Sequence, residues 1–593
     1  MCCAAMATVA PPLTFLLLLL QVADGSFPEE PSPLSYAPLE VVRRYPVFVG
    51  RAHPSALRQE LHIQTVLQVN RTLYIGARDD LYRVELDNMA GDEMFYSKKR
   101  TWESNKNDIR GVQNEGEARE CRNYIKVLLS HHDGLFVCGT NAFNPLCANY
   151  TRDSLEMAGE SVSGMARCPY DPRHANVAVF ADGSLFTGTV TDFLAIDAVI
   201  YRSLGDSPAL RTVKHDSKWF REPYFVSAVE WGPHIYFFFR EMAMEFHHLE
   251  KVMVSRVARV CKTDLGGSQR VLEKQWTSYL KARLNCSVPG DSHFYFNLLH
   301  ATSGVLHMQG RDVILGLFST PPNSSWPTCS RGDSRNRNRR NPSGPPCPTN
   351  WCPNHVQGSR FSSSNSLPDE VLNFVKTHPL MDETVPLLGH RPWVVRTMGR
   401  YQLTTMVVDT EAGPHKNRTF LMVPSGEPVS HSSVFLEEVE GFNPEKCGED
   451  TPQARQLLSL LLDRSSHTLL LAFPSCLVRV PTSRCHLHAR CMKSCLASRD
   501  PYCGWTRGQH LLLPQTRNPQ DVEYGNTTSH LGDCDGRLQQ NEHAMRLLAC
   551  LLLLLLLHTE TKYRNSLHLV GHIPHYKRPV PLKEHCVLIR RKL

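Results

Sequence analysis

The chain lacks every catalytic signature that a short stretch can announce. It has no G-x-S-x-G elbow, no H-E-x-x-H helix and no glycine loop shaped to cradle phosphate. Its 28 histidines are scattered. A Ser-His-Asp set is recognised by geometry, so what is excluded is a hydrolase or kinase with a local motif. The reading is of a non-enzyme that needs no cofactor. A basic face is lacking too. The formal charge is +7, and the ten basic and three acidic residues after Gly536 account for all of it. The body is neutral, which argues against a nucleic-acid partner. A full membrane span is also missing. The best candidate, Leu547 to Leu557 ("LLACLLLLLLL"), has 11 apolar residues, whereas a bilayer needs about 17 to 25. Polar and basic sequence follows it to Leu593, so it is not a lipid-anchor signal either. It reads as a short-span or interfacial segment at most.

What is present begins with an export signal. Thr14-Phe15 and five leucines, Leu16 to Leu20, lead into Gln21-Val22-Ala23-Asp24-Gly25. An apolar run followed by small residues is a signal peptide, so residues 1–25 are removed and the mature chain starts near Ser26. Six N-x-Ser/Thr sequons agree with export: Asn70, Asn149, Asn285, Asn323, Asn417 and Asn526. An oxidising compartment favours disulfides over thiols or zinc.

From Pro46 to Pro481 the chain is a succession of short strand-like runs separated by turn residues. Examples are "TLYIGA" (72–77), "GLFVC" (134–138), "NVAVF" (176–180), "AVIY" (198–201), "HIYFFF" (234–239), "DVILGLF" (312–318) and "HTLLLAF" (467–473). Many adjoin "DG", "GS" or "PG" turns. The one clear amphipathic helix is Asp369 to His378, "DEVLNFVKTH". Roughly 400 residues of evenly spaced strands exceed one sandwich, and small sheets repeated radially fit better. The fold class is therefore all-β, a β-propeller. Two regions break the style. Residues 321–366 are rich in Arg, Asn, Pro and Ser and read as a solvated loop. Within them, Arg331-Gly332-Asp333 is an adhesion tripeptide that reads as chance, and the Arg335 to Arg340 run reads as a solvated face. Everything after Gly536 lacks a core pattern.

Behind the propeller lies a small module, Arg484 to Cys534, with Cys485, Cys491, Cys495 and Cys503. With His486 and His488 these could ligate zinc. In a secreted chain the disulfide reading is preferred, because about 50 residues bury too little core without staples. Tyr502 and Trp505 of "RDPYCGW" would pack over the bridges.

The motifs "SFPEEPSPL", "YPVFVG", "NRTLYIGARDDLYRVEL", "VCGTNAFNPLC", "ARCPYDP", "VTDFLAIDAVIYRSLG", "TVKHDSKWFREPYF", "YFFFREMAMEF", "SRVARVCK", "EKQWTSYLKARLNCSVPGDSHFYFN" and "RDPYCGW" together resemble a semaphorin of the class 6, transmembrane type. The resemblance is dense from Ser26 to Pro321 and resumes from Leu367 to Gly536. It implies a seven-bladed sema propeller followed by a plexin-semaphorin-integrin (PSI) module. It implies a guidance ligand for plexin receptors, mainly of the A class, that steers axons and migrating cells, usually by repulsion, as a homodimer. It implies a cell-surface or extracellular location, with membrane association through the family. It places receptor contacts at His215 and Lys376, and disulfide cysteines at Cys138, Cys147, Cys447, Cys476, Cys485, Cys491, Cys495 and Cys503. The glycosylated positions would be Asn70, Asn149, Asn285, Asn417 and Asn526. The bland reading of His215 and Lys376 is a loop cap and a solvated helix charge.

The chain departs from the family pattern at four places. Cys121 lacks the cysteine usually found about ten residues before it. After "FSTPPNS" a strand and helix are replaced, which leaves Cys286 orphaned or paired with Cys329, and Cys261 seeking Cys347 or Cys352. A strand after "NRTFLMV" is missing, and so is the PSI cysteine after "GW" along with the long membrane span. A splice variant or an altered gene model accounts for all four. The rival to a plexin ligand is thus a secreted, non-signalling variant or decoy with a damaged propeller. A propeller-based extracellular hydrolase is a third reading.

Overall fold

The computed structural model describes residues 35–512 and 585–589. Residues 105–120, 246–250, 289–293, 321–362, most of 389–403, 414–417, 423–435, 488–494 and a few single positions lie outside the described residues. Cys491, Asn323, Asn417, Asn526, the 331–333 tripeptide and the 547–557 run fall among those left out. No helix among the described residues is long and apolar enough to cross a membrane.

Antiparallel hairpins build small sheets in chain order. Thr65–Val69, Thr72–Gly76, Asp80–Ala90 and Glu93–Thr101 form the first blade. Ile125–His131, Gly134–Gly139, Leu146–Thr151 and Val162–Ser163 form the second, and Val177–Ala181, Ser184–Val190, Ala198–Ser203 and Leu210–Arg211 the third. The fourth is Tyr224–Trp231, His234–Met242, Met253–Cys261 and Leu280–Arg283. Local chemistry sets these hairpins. Asp182 and Gly183 both take positive φ, 47° and 75°, the turn whose twist matches that of the paired strands.

The inner strands of successive sheets contact one another around a closed ring of seven units. Thr65–Val69 touches Ile125–His131, and the contacts run on through Val177–Ala181, Tyr224–Trp231 and Leu298–Thr302. Leu306–Met308 carries the chain of contacts to Val407–Ala412, which meets Ser459–Asp463, and that strand returns to Thr65–Val69. Closure is made by Val47–Phe48, a strand ahead of the first blade in the chain. It pairs antiparallel with Leu477–Pro481 of the seventh blade and parallel with Glu93–Thr101 of the first, giving one eight-stranded sheet. This removes the open edges that a ring would otherwise present. The fold is an all-β, seven-bladed propeller.

Packing between blades follows from the period of two. In His234–Met242, "HIYFFFREM", Ile235, Phe237 and Phe239 enter the core shared with the third blade. Tyr236 and Phe238, on the other face, enter the core shared with the fifth. A run that is apolar on both faces is what a blade between two blades requires.

The fifth and sixth units are built differently. In the fifth, Leu298–Thr302 and Leu315–Ser319 are followed in the sheet by His585–Ile589 and then Val395–Arg396. The far tail thus adds a backbone strand to the ring, although its sequence carries no core pattern. Position along the chain carries no information about such long-range pairing. The sixth is the two-stranded hairpin Val407–Ala412 with Arg418–Met422 among the described residues.

Candidate functional site

His215 and Lys376 lie on different elements at one edge of the third and fourth blades. His215 sits in the loop after Leu210–Arg211 with φ of 51°, exposed, and its backbone N–H donates to Asp197 Oδ1 at 3.3 Å. Asp197 organises this corner. It also accepts from Thr191 Oγ1 at 2.7 Å and from Arg211 Nη2 at 2.8 Å. Burial alone would push its carboxyl up, but these bonds outweigh burial and hold it below the usual carboxylate range.

Lys376 is exposed in the last turn of the helix Asp369–Thr377. Asp369 and Glu370 occupy the first turn and Lys376 the last, which matches the helix dipole at both ends. The helix buries Leu372 in the core between the third and fourth blades. Its exposed Phe374 stacks on His378, centroids 4.4 Å apart.

Trp219 joins the two segments. It lies four residues beyond His215, is fully buried, and donates from Nε1 to the backbone carbonyl of Lys376 at 2.9 Å. Its ring stacks on Tyr279 at 4.6 Å. Beneath it lies a buried ionic network. Lys281 Nζ donates to the Trp219 carbonyl at 2.8 Å and to Glu241 Oε1 at 2.6 Å. Arg256 Nε donates to the same Glu241 oxygen at 2.5 Å, and its Nη2 holds both oxygens of Glu245 at 2.7 and 2.8 Å. Burial pushes the Lys281 ammonium below the usual lysine range, and Glu241 offsets part of that.

Beside His215 an apolar loop projects outward. Phe193, Leu194 and Ile196 are 55%, 72% and 72% exposed. Asp192 holds the loop by accepting from the backbone N–H groups of Ile196 and Asp197 at 3.1 and 2.6 Å. Phe193 meets Phe143 edge-on at 5.1 Å. Exposed Lys214 and Lys218 flank His215. The arrangement is an exposed apolar knob beside exposed lysines, which suits a macromolecular surface better than a small substrate. Sequence reasoning singled out none of Asp197, Trp219 or the apolar loop. The available signal was three large apolar residues within four positions, bracketed by Asp192 and Asp197.

Of the other positions read from the sequence, Cys138–Cys147, Cys447–Cys476 and Cys485–Cys503 form disulfides. Cys495 is buried. Cys261 and Cys286 are both disulfide-bonded, so the orphan reading of Cys286 is corrected. Asn70 is exposed in a hairpin turn and Asn149 on its strand, while Asn285 is half-buried. The Tyr502 ring, expected over the bridges, faces the propeller, and the Trp505 side chain lies outside the described residues. Tyr502 is buried against Ala412 and Met422 of the sixth blade and donates its hydroxyl to Asp409 Oδ2 at 2.7 Å. The module thus supplies a ring that covers apolar surface of the two described strands of this blade.

A family model described as Sema domain matches residues 328–425. Semaphorin-6B of Rattus norvegicus is 55% identical over 573 residues, covering 89% of this chain, and the chain spans 64% of that relative's length. Among solved structures, Drosophila Semaphorin 1a, extracellular domains 1-2, is 30% identical with a TM-score of 0.62, covering 80% of this chain and 98% of that one. A chain from Drosophila Plexin A in complex with Semaphorin 1b is 26% identical with a TM-score of 0.56, covering 78% of this chain and 95% of that one. A closed seven-unit propeller, the cysteine-stapled "RDPYCGW" turn behind it and identity at this level over most of the length lead to one conclusion: the chain belongs to the semaphorin family.

Proposed function

We propose that the chain is an extracellular guidance ligand that binds plexin receptors of the A class and steers axon growth and cell migration, mostly as a repellent. The observation that carries this reading is the exposure of His215, Lys376, Phe193, Leu194 and Ile196 on segments that Asp197 and Trp219 tie together. A few anchors ringed by polar groups are how protein partners are held. The Semaphorin 1b relative was solved with Plexin A, which points to the partner class. The ligand acts as a homodimer, so that two faces engage two receptors and gain avidity without new contacts. Its organisation is a signal peptide at 1–25, a propeller at 46–481 and a PSI module at 484–534, placed outside the cell or at its surface. It does no chemistry of its own.

The test is surface plasmon resonance of the secreted full chain on an A-class plexin ectodomain. His215→Ala and Lys376→Asp should each weaken saturable binding at least tenfold while leaving the thermal unfolding midpoint in place. Folded, secreted wild-type protein that does not bind would overturn the reading in favour of a non-signalling variant.

A further inference from the structure

We propose that Trp219 is the positioning residue of this face: its indole N–H pins the last turn of the helix Asp369–Thr377 and so sets Lys376 in register with His215. The inference rests on the plexin-binding reading for its functional consequence, and on the structure for the clamp itself.

A helix leaves its last four carbonyls without intrahelical partners. In this helix the Phe374 carbonyl accepts from the backbone N–H of His378 at 3.0 Å, and the Asn373 carbonyl also receives the Thr377 hydroxyl at 2.8 Å. The Lys376 carbonyl takes its bond from a residue 157 positions away, Trp219 Nε1. The residue that carries the exposed cation is therefore the one whose backbone is tied down. Its tie leads into the loop that carries His215.

The anchor is rigid for a reason visible in its other contacts. Tyr279 stacks on the indole within 15° of parallel and donates its hydroxyl to the Trp219 carbonyl at 3.1 Å. Lys281 donates to that same carbonyl, and Glu241, which holds Lys281, also accepts the backbone N–H of Arg221 at 3.2 Å. One loop residue is thus gripped at its ring, its N–H and its carbonyl by the fourth blade and the helix together. Buried ion networks contribute little net stability compared with apolar packing. Their use at this corner is to fix where the loop sits.

The experiment uses the full chain and the variant Trp219→Phe, which keeps an aromatic ring and removes the N–H donor. Affinity for the A-class plexin ectodomain is measured in a double-mutant cycle with Lys376→Ala and, separately, with His215→Ala. Trp219→Phe should weaken binding about five- to tenfold, and Lys376→Ala should then cost less than twofold more, while His215→Ala keeps its full effect. Independent, multiplying effects at Trp219 and Lys376, or equal coupling of Trp219 to Lys376 and to His215, would overturn the proposal, since a residue that merely fills the core would single out neither position. Hydrogen exchange reads the clamp without a receptor. The amides at the helix end, Thr377 and His378, should exchange at least tenfold faster in Trp219→Phe, and those of Val254–Val260 should not change. Unchanged helix-end exchange would overturn the clamp. If the variant is not secreted, the indole N–H of Trp219 is followed in wild-type protein, where slow exchange supports the bond and exchange at the rate of an exposed indole overturns it. Wild-type protein that fails to bind plexin removes the functional reading and leaves the exchange result to decide the clamp.

Discussion

The fourth and sixth blades occupy equivalent places in one ring and are made differently. The fourth has four strands, and its central pair keeps register over nine residues, from His234 opposite Cys261 to Met242 opposite Met253. Both of its faces are buried, and a charged network lies sealed within it. The sixth, among the described residues, is a two-stranded hairpin whose register shifts between Asp409 and Ala412, and Tyr502 from the module behind it packs against it. The ring nevertheless closes through both. The contacts between neighbours run mainly through the first strand of each sheet, so the two described strands of the sixth blade suffice to carry the ring. The apolar face of those two strands is covered in part by Tyr502.

The largest expected effect probes the complete blade. Glu241→Ala leaves Arg256 and Lys281 buried without their shared carboxylate, and breaking such a set costs roughly 4 kcal/mol. Val408→Ala in the sixth blade should cost about half of that. Denaturant midpoints of the two variants compare the blades directly. An equal loss at both sites would break the contrast.

A second expectation concerns the module packed against the sixth blade. Burial pushes the Asp500 carboxyl of the "RDPYCGW" turn up to about 7 from an ordinary 3.8. The folded chain therefore holds this proton more firmly than the unfolded chain. Its contribution to stability is fully present below about pH 4, is lost as pH rises through about 7, and stays lost above that. The gap between those values corresponds to at most about 4 kcal/mol. Asp500→Asn keeps an acceptor for the Tyr502 N–H, so it should raise the midpoint at pH 8 and flatten the profile between pH 4 and 7. A variant with the wild-type pH profile would show that the module is not tied to the ring through this turn.

The smallest effect is the most local. Tyr502→Phe removes the hydroxyl bond to Asp409 and should cost about 1 kcal/mol. Faster exchange of the Val407–Ala412 amides in this variant, with Val254–Val260 unaffected, would sharpen the comparison. Equal acceleration in both blades would erase it.

Much of the architecture was legible because it is local. The run "YFFF" at Tyr236 to Phe239 announces a strand covered on both faces, and Asp182-Gly183 announces a tight hairpin. The helix from Asp369 carries its dipole charges in order. The candidate face was legible only through family resemblance. Nothing in composition distinguishes His215 or Lys376 from other exposed polar residues, and Asp197 or Trp219 acquire meaning only when strands far apart in sequence are brought to one blade edge.

The sequence by itself therefore determined the strands, the turns, the staple-bearing module and the family, because each rests on side-chain period, backbone preference or a contiguous motif. The tertiary structure alone decided three things. One is the closure of the ring through Val47–Phe48. Another is the tail strand His585–Ile589 in the fifth blade. The third is the bond from Trp219 to Lys376 across 157 positions. Each is a pairing between distant segments, and its energy depends on which edges and carbonyls remain unpaired once every local choice has been made.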